Sequence, residues 1–404
     1  MNANRKFWSL ILNSVLVTVC GSAYAQSETS FVKIYGLLDA GILINSHAPD
    51  NRHVQARSNG MNGNRLGFSG REDIGGGSAA VFTLEMGFDG MTGNPGFGGR
   101  LFGAMLHVGF DTPYGSFYAG RQPNVDILST GLLGAANQWA GLIGTHPGDN
   151  DNYYNTFRVA NALKYVSPKV AGFQASGLYA PGEFAGDNKR GRVAAAAVSY
   201  QHEGLKIAAS VSNSQNPNIG IASHSGNVAA PVVSTTNFFN SPIVSGYASA
   251  QSWNVAGVGV NYTMGDVTLG AVYTQSEFRN LGDLTSGPNP ADYFGDARFR
   301  NHEVNLTYKV TPFWHLGAEY VITTRNSVSR ATQPQGSGGA TYHLFTLATR
   351  YYLAKTTFVY AAFGTMRATG TGSANTSAVA QINGAVASST SSQQNIRVGM
   401  QYRF

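Results

Sequence analysis

The sequence predicts an all-β fold: a transmembrane antiparallel β-barrel of sixteen strands whose third long connection folds inward. Three observations lead there. Only 12% of the 404 residues are charged, against about 25% in an ordinary soluble domain. Past residue 25, however, no run reaches the ~18 apolar residues that a membrane helix needs. The other structure that satisfies its whole backbone inside lipid is a closed barrel. The second observation is alternation of apolar and polar residues with period two, recurring from 31 to 404, which is the strand signature of such barrels. The third is that short turns and long loops take turns along the chain.

The N-terminus speaks to the compartment. Arg5 and Lys6 precede a mostly apolar stretch, 7–19, and Ala23 and Ala25 supply small residues where a signal peptidase cuts, so cleavage is expected before Gln26. That makes 1–25 a cleaved signal peptide and 26–404 the barrel domain. Val19 stands before Cys20 where a lipoprotein signal would have a small residue. Removing the leader removes Cys20, the single cysteine, and with it disulfide and thiolate chemistry. The remaining 25 basic and 21 acidic residues leave a net charge of +4. The basic residues are scattered singly, so no nucleic-acid partner is expected.

Element by element, the alternation reads as follows. In 31–44, Val32, Ile34, Leu38, Ala40, Ile42 and Ile44 share a face opposite Lys33 and Asp39. Leu66 and Phe68 oppose Arg65, Ser69 and Arg71, and Leu84, Met86 and Phe88 oppose Thr83 and Glu85. Leu106, Val108 and Phe110 oppose His107 and Asp111. Strands follow at 116–121, 158–166, 172–179, 192–201, 205–213, 253–262, 266–277, 301–310, 315–324, 342–353 and 355–365. The last strand sets Ile396, Val398, Met400, Tyr402 and Phe404 against Asn395, Arg397, Gln401 and Arg403. A charge on the lipid face costs about 2–4 kcal/mol at the midplane, so the polar sets belong inside. Tyr35, Tyr165, Tyr262, Tyr308, Tyr351 and Tyr402 are expected in interfacial girdles.

Short turns fall at 73–77, 111–115, 167–169, 202–204, 264–266 and 311–313; long loops span 45–63, 89–100, 122–157, 180–191, 214–251, 278–300, 325–341 and 366–392. Outer-membrane barrels place turns on the periplasmic side and loops outside. The loops 214–251 and 366–392 are rich in Ser, Asn, Thr, Ala and Gly, so mobility is expected of them. The connection 122–157 is different. It carries Trp139, Leu132, Leu133, Leu142 and Ile143, too apolar for a disordered linker, and a connection this long is usually functional. It reads as a loop folded back into a cavity. Sixteen strands leave an aqueous interior, so the architecture calls for a wall, a constriction and a field, with no catalytic group and no cofactor.

Several stretches now resemble the general porins of Gram-negative bacteria, in the branch found in beta-proteobacteria. They are 34–41 (IYGLLDAG), 64–77 (NRLGFSGREDIGGG), 84–88 (LEMGF), 120–122 (GRQ), 163–168 (LKYVSP) and the ending 398–404 (VGMQYRF), in the family's order. The resemblance implies an outer-membrane homotrimer of sixteen-stranded barrels among lipid and lipopolysaccharide. Its third loop narrows each pore, and its terminal Phe404 is read by the barrel-assembly machinery. It further implies a pore with basic residues at Arg65, Arg121 and Arg158, and acidic ones at Glu85 and Asp126. Pro123 and Asn124 stand where the family has an aromatic residue and then Asp, and Ala104 where it tends to have Arg, implying a less charged constriction.

Parity supports a lumenal Arg65 and Arg158, and Lys164 shares the parity of Arg158. Arg121 has the parity of Phe117, which should face lipid, so either a bulge intervenes or the strand has ended. Arginines around a water-filled neck favour anions. Glu85 reads either as an opposing acid or as an inter-strand ion pair. The 149–152 turn (DNDN) lacks the Gly and distal Glu of a calcium loop and reads as a solvated turn. No paired histidine spacing, phosphate-binding loop or nucleophile elbow is present. The reading is a passive channel for small hydrophilic solutes with mild anion preference. Its rivals are a channel selective for phosphate or organic acids, and a surface adhesin or structural barrel acting through its long loops.

Overall fold

A computed structural model describes residues 30–48, 51–222 and 235–404. The expected leader, 1–25, lies outside the described residues. The strands are β1 (Phe31–Ala48), β2 (Asn51–Ser58), β3 (Arg65–Gly75), β4 (Ser78–Gly87), β5 (Met105–Thr112) and β6 (Gly115–Gln122). Then come β7 (Val159–Val166), β8 (Phe173–Ala180), β9 (Val193–His202), β10 (Leu205–Gln215), β11 (Ser252–Met264) and β12 (Val267–Leu281). The series ends with β13 (Tyr293–Thr311), β14 (Trp314–Arg325), β15 (Ser329–Arg330), β16 (Ala340–Ala354), β17 (Thr357–Gly370) and β18 (Ser392–Arg403).

Every pairing is antiparallel, and β18 pairs with β1 from Leu37↔Arg403 to Asn45↔Asn395, which closes the sheet. Eighteen segments fill sixteen wall positions. β2 and β3 share one position, lying end to end along the same edge of β1. The two-residue β15 pairs only with the start of β13. The count of sixteen therefore holds, but one expected loop does not. The chain at 45–63 is mostly wall, because β1 runs to Ala48 and β2 returns beside it. Alternation there is blurred by His53, Gln55 and Arg57, which face inward opposite Asn45, Leu43 and Gly41.

The two faces sort as the pleat demands. Val32, Ile34, Val108, Leu163, Val304 and Val398 are exposed on the outside. Asp39, Asn301, Glu303, Gln393 and Gln401 are buried on the inside. Tyr262, Tyr308, Tyr351 and Tyr402 are exposed outside near the strand ends, and the Tyr165 hydroxyl donates to the Tyr114 carbonyl at 2.7 Å. Tyr35 departs from the expected girdle. It shares the inward parity of Lys33 and Asp39, and its hydroxyl donates to Glu85 Oε2 at 3.1 Å.

The loops expected to be mobile are packed where they are described. Phe239, Ile243, Tyr247, Ala380 and Ile382 are buried. Phe239 meets Phe157, Trp253 and Phe278 at ring centroid distances of 5.6, 6.1 and 5.6 Å. A few large apolar side chains among the Ser and Asn are enough to dock such a segment, since each aromatic removes ~150–250 Å² from water.

Candidate functional site

The chain leaves the wall after Gln122 and rejoins it at Val159. Between them it makes four single turns, Gly131–Leu133, Ala136–Ala140, Gly141–Gly144 and Pro147–Asp149. It does not project outward. Val125, Leu133, Trp139, Ile143, Tyr153 and Phe157 are all buried, because the loop lies against the inside of β10–β17. Two glycines make the sockets. A side chain at Gly317 on β14 would overlap the Trp139 indole, and one at Gly364 on β17 would stand 2.5 Å from Ile143 Cγ2.

Polar contacts set the register on that wall. Thr130 and Tyr153 both reach the Ser210 hydroxyl at 2.9 Å. Asn150 and Asn301 exchange amide bonds at 3.1 and 3.0 Å. His146 lies at the centre: Nδ1 is 2.6 Å from Asp151 Oδ2 and Nε2 is 3.0 Å from Glu303 Oε2. Glu303 Oε1 accepts the Ala135 N–H at 2.7 Å, and Asp151 accepts the Thr274 hydroxyl at 2.7 Å. Burial alone would depress His146, but the two carboxylates hold its pKa well above the ordinary imidazole value. Burial opposes ionisation of Asp151 as well, yet the His146 charge keeps its pKa below the usual carboxylate range.

The loop also touches the opposite side of the barrel. Leu142 N–H donates to the Gly60 carbonyl at 2.9 Å, and the Tyr154 hydroxyl donates to the Met61 carbonyl at 3.3 Å. The 59–64 turn that receives them is pinned by Asp39, which accepts Gly60 N–H and Met61 N–H at 2.9 Å. Asp39 is itself held by Arg397 at 3.3 Å and by the Tyr360 hydroxyl at 2.8 Å. The loop therefore crosses the lumen and is tied at both walls.

The residues read from sequence fall into two groups. Arg65 faces inward opposite Leu37, with its side chain 32% exposed and 3.6 Å from Glu85. Arg158 donates to the Ala104 carbonyl at 3.3 Å and stacks over Phe97 at 4.7 Å. Burial first, and then the Arg65 charge, push its pKa down to about 9, which still leaves it cationic at neutral pH. Lys164 faces inward opposite Tyr118 and sits over its ring at 5.3 Å. These three share the β3–β7 side of the lumen, across from the wall on which the loop docks.

The second group is placed otherwise. Arg121 lies opposite Leu106 on the outward parity, and the register with β7 slips between Gly120 and Gln122. Its guanidinium is buried, donating to the carbonyls of Gly103 at 2.8 Å and Arg158 at 3.5 Å, so it braces the rim from behind. Glu85 stands on the basic wall as a partner of Arg65 and Tyr35, the ion-pair alternative. Asp126 is buried behind the loop, accepting from Ser212 at 2.8 Å and Asn124 at 3.2 Å. Burial raises its pKa to about 7. The 149–152 turn is not solvated: all four residues are buried. Asp149 accepts from Tyr154 N–H and Thr156 N–H at 3.0 and 3.2 Å. Phe404 exchanges backbone bonds with Gly36 at 3.0 and 3.1 Å, beside the closing seam.

His146 and Glu303 escaped the sequence reading. Glu303 has the inward parity of Asn301 and Asn305, a legible signal, but nothing local indicates that a histidine 157 residues away would meet it.

A family model described as Gram-negative porin matches residues 13–371. The chain belongs to the Gram-negative porin family. An outer membrane porin protein of Bordetella pertussis is 34% identical over 181 residues, which are 41% of this chain and 46% of that protein. Outer membrane porin protein 32 of Delftia acidovorans is 31% identical over 185 residues, 43% and 49% of the two chains. The matched part of this porin thus spans about half the length of these curated relatives. Among solved structures, an anion-selective porin from Comamonas acidovorans superposes with a TM-score of 0.68 at 19% identity, covering 93% of this chain and 100% of that one. A trimer form of OmpT from Vibrio cholerae gives a TM-score of 0.61 at 17% identity, covering 93% and 99%. Family membership and the closed barrel with its apolar exterior place this porin in the outer membrane.

Proposed function

We propose that this porin is a passive diffusion channel for small hydrophilic solutes and ions, with a mild anion preference and no chemistry of its own. The observation that carries it is the asymmetry of the lumen. Arg65, Arg71, Arg158 and Lys164 stand on the β3–β7 side with Glu85 and Asp111 as their acids, Arg65 and Arg71 about one third exposed, whereas Asp126, Asp151 and Glu303 are buried under the loop. Low-dielectric walls focus what charge remains, and a basic ring favours anions. That the Comamonas porin is described as anion-selective agrees with this sign.

Assembly as a homotrimer fits the trimer form of the Vibrio relative. Cleavage of 1–25, contact with lipid and lipopolysaccharide, and delivery by the barrel-assembly machinery through the Phe404 strand belong to the same proposal. The deciding measurement is single-channel recording of the mature protein across a salt gradient. It should give ohmic conductance in triplet steps with a reversal potential on the anion side. A folded barrel with negligible conductance would favour the adhesin reading instead.

A further inference from the structure

β2 and β3 share one position in the wall, and the residues between them, 59–64, turn into the lumen instead of continuing the strand. One carboxylate holds this turn. Asp39, buried on β1, accepts the N–H groups of Gly60 and Met61 at 2.9 Å and of Asn62 at 3.4 Å. Its Oδ1 also takes the Tyr360 hydroxyl at 2.8 Å and Arg397 at 3.3 Å. Arg397 Nε donates to that same hydroxyl at 2.9 Å, and the Asn62 side-chain amide donates to Gln401 Oε1 at 2.7 Å. Side chains of β1, β17 and β18 thus grip the turn together.

Two parts of the constriction hang from it. On one flank the turn meets the tip of the inserted loop backbone to backbone: Leu142 N–H donates to the Gly60 carbonyl at 2.9 Å, and a side chain at Gly141 would overlap that carbonyl. On the other flank the Gly63 carbonyl accepts Arg65 Nε at 3.0 Å. That bond holds the guanidinium 3.6 Å from Glu85, outside hydrogen-bond reach. Without it the guanidinium is free to close on Glu85 as a hydrogen-bonded pair, which takes its charge out of the lumen. The loop tip bears on the bore and Arg65 on the field, so both depend on one side chain that is itself sealed from the water path.

We propose that Asp39 is a positioning residue for permeation, coupling the width of the pore to its sign preference through the 59–64 turn. The proposal rests on the channel reading. Strand parity explains why Asp39 leaves the lipid, but an inward residue needs only water or a single neighbour, as Arg71 has in Asp111. Asp39 instead spends its acceptor capacity on the turn that carries the loop tip and Arg65.

Removing Asp39 alone would leave Arg397 buried and unpaired and would itself alter the field. The test therefore uses the pair Asp39→Asn with Arg397→Met, which leaves the net charge unchanged, and Asn62→Ala, which loosens the turn without touching a charge. Each is also combined with Arg65→Ala, and amide hydrogen exchange of the folded barrel in detergent is read beside single-channel current. Protection at Gly60, Met61 and Leu142 should fall about tenfold or more in the paired variant, and less in Asn62→Ala, while the amides of β12–β14 hold. Conductance should rise in both, and the reversal potential should move toward cations. That move should vanish in the Arg65→Ala background, because Asp39 acts through Arg65. A shift that adds to that of Arg65→Ala, or unchanged protection at Leu142, overturns the proposal. Protection lost throughout the sheet in both variants overturns it too, making Asp39 an ordinary stabiliser of the barrel. Coupled loss of protection in a folded barrel that passes no current would retain Asp39 as the residue that positions the loop tip and remove the channel reading.

Discussion

Two parts of one wall, built from the same alternating strands, treat their inward polar residues in opposite ways. Along β10–β14, Ser210, Thr274, Asn301 and Glu303 end on the loop and are buried. Along β3–β7, Arg65 and Arg71 are about one third exposed and rely on single acids, Glu85 at 3.6 Å and Asp111 at 2.8 Å. Alternation requires only that these residues leave the lipid; what meets them inside is another matter. The chain supplies dry partners on one side and leaves water and solute as partners on the other. The difference locates rigidity and selectivity in different halves of the barrel.

The largest effect is expected from Glu303→Ala. It strips His146, the Ala135 N–H and the Asn305 amide of a buried acceptor, and each donor left unsatisfied costs about 1–3 kcal/mol. Limited proteolysis should then cut within 122–157 while β-sheet circular dichroism is retained, and open-channel noise should rise. Gly317→Val comes next. Its side chain would overlap Trp139, and overpacking of that kind costs about 1–3 kcal/mol. Raised conductance with little change in barrel melting is the expected outcome, and an unchanged conductance would mean that the loop does not set the bore.

Proton concentration should modulate the docked side more gently. Asp126 and Asp149 have pKa values raised to about 7 and about 6, by burial in both cases, and His146 is raised as well. A raised group contributes stability that is fully present below its unfolded value and lost as pH rises through the folded one. Asp151, which is lowered, acts in the opposite sense only in strong acid. From about pH 4 to about pH 7 the loop should therefore loosen as Asp149 and Asp126 ionise, seen as growing current noise, with the further loosening above that assigned to His146. Asp126→Asn should remove the portion centred near neutrality. The smallest structural effect belongs to Arg65→Ala, since a partly exposed pair contributes about 0.2–1 kcal/mol. Its melting temperature should hardly move, while its reversal potential should shift toward cations.

Much of this could be read from the chain. Strand parity placed Arg65, Glu85 and Lys164 inside and Leu106 and Val108 outside, since a strand with one face in lipid and one in water must alternate. The apolar content of 122–157 indicated a buried loop. Parity also flagged Arg121 as the misfit, and the sheet keeps it on the outward register with a slip beside it.

The sequence by itself determined the barrel, its sixteen positions and the direction in which most strand residues point, because those follow from a local period and from the cost of charge in lipid. Only the tertiary structure decided which inward residues meet one another. His146 with Glu303, Asn150 with Asn301, Trp139 with Gly317 and Asp39 with Arg397 are pairings between distant positions. They depend on where the loop crosses the lumen, which packing complementarity sets and no local period records.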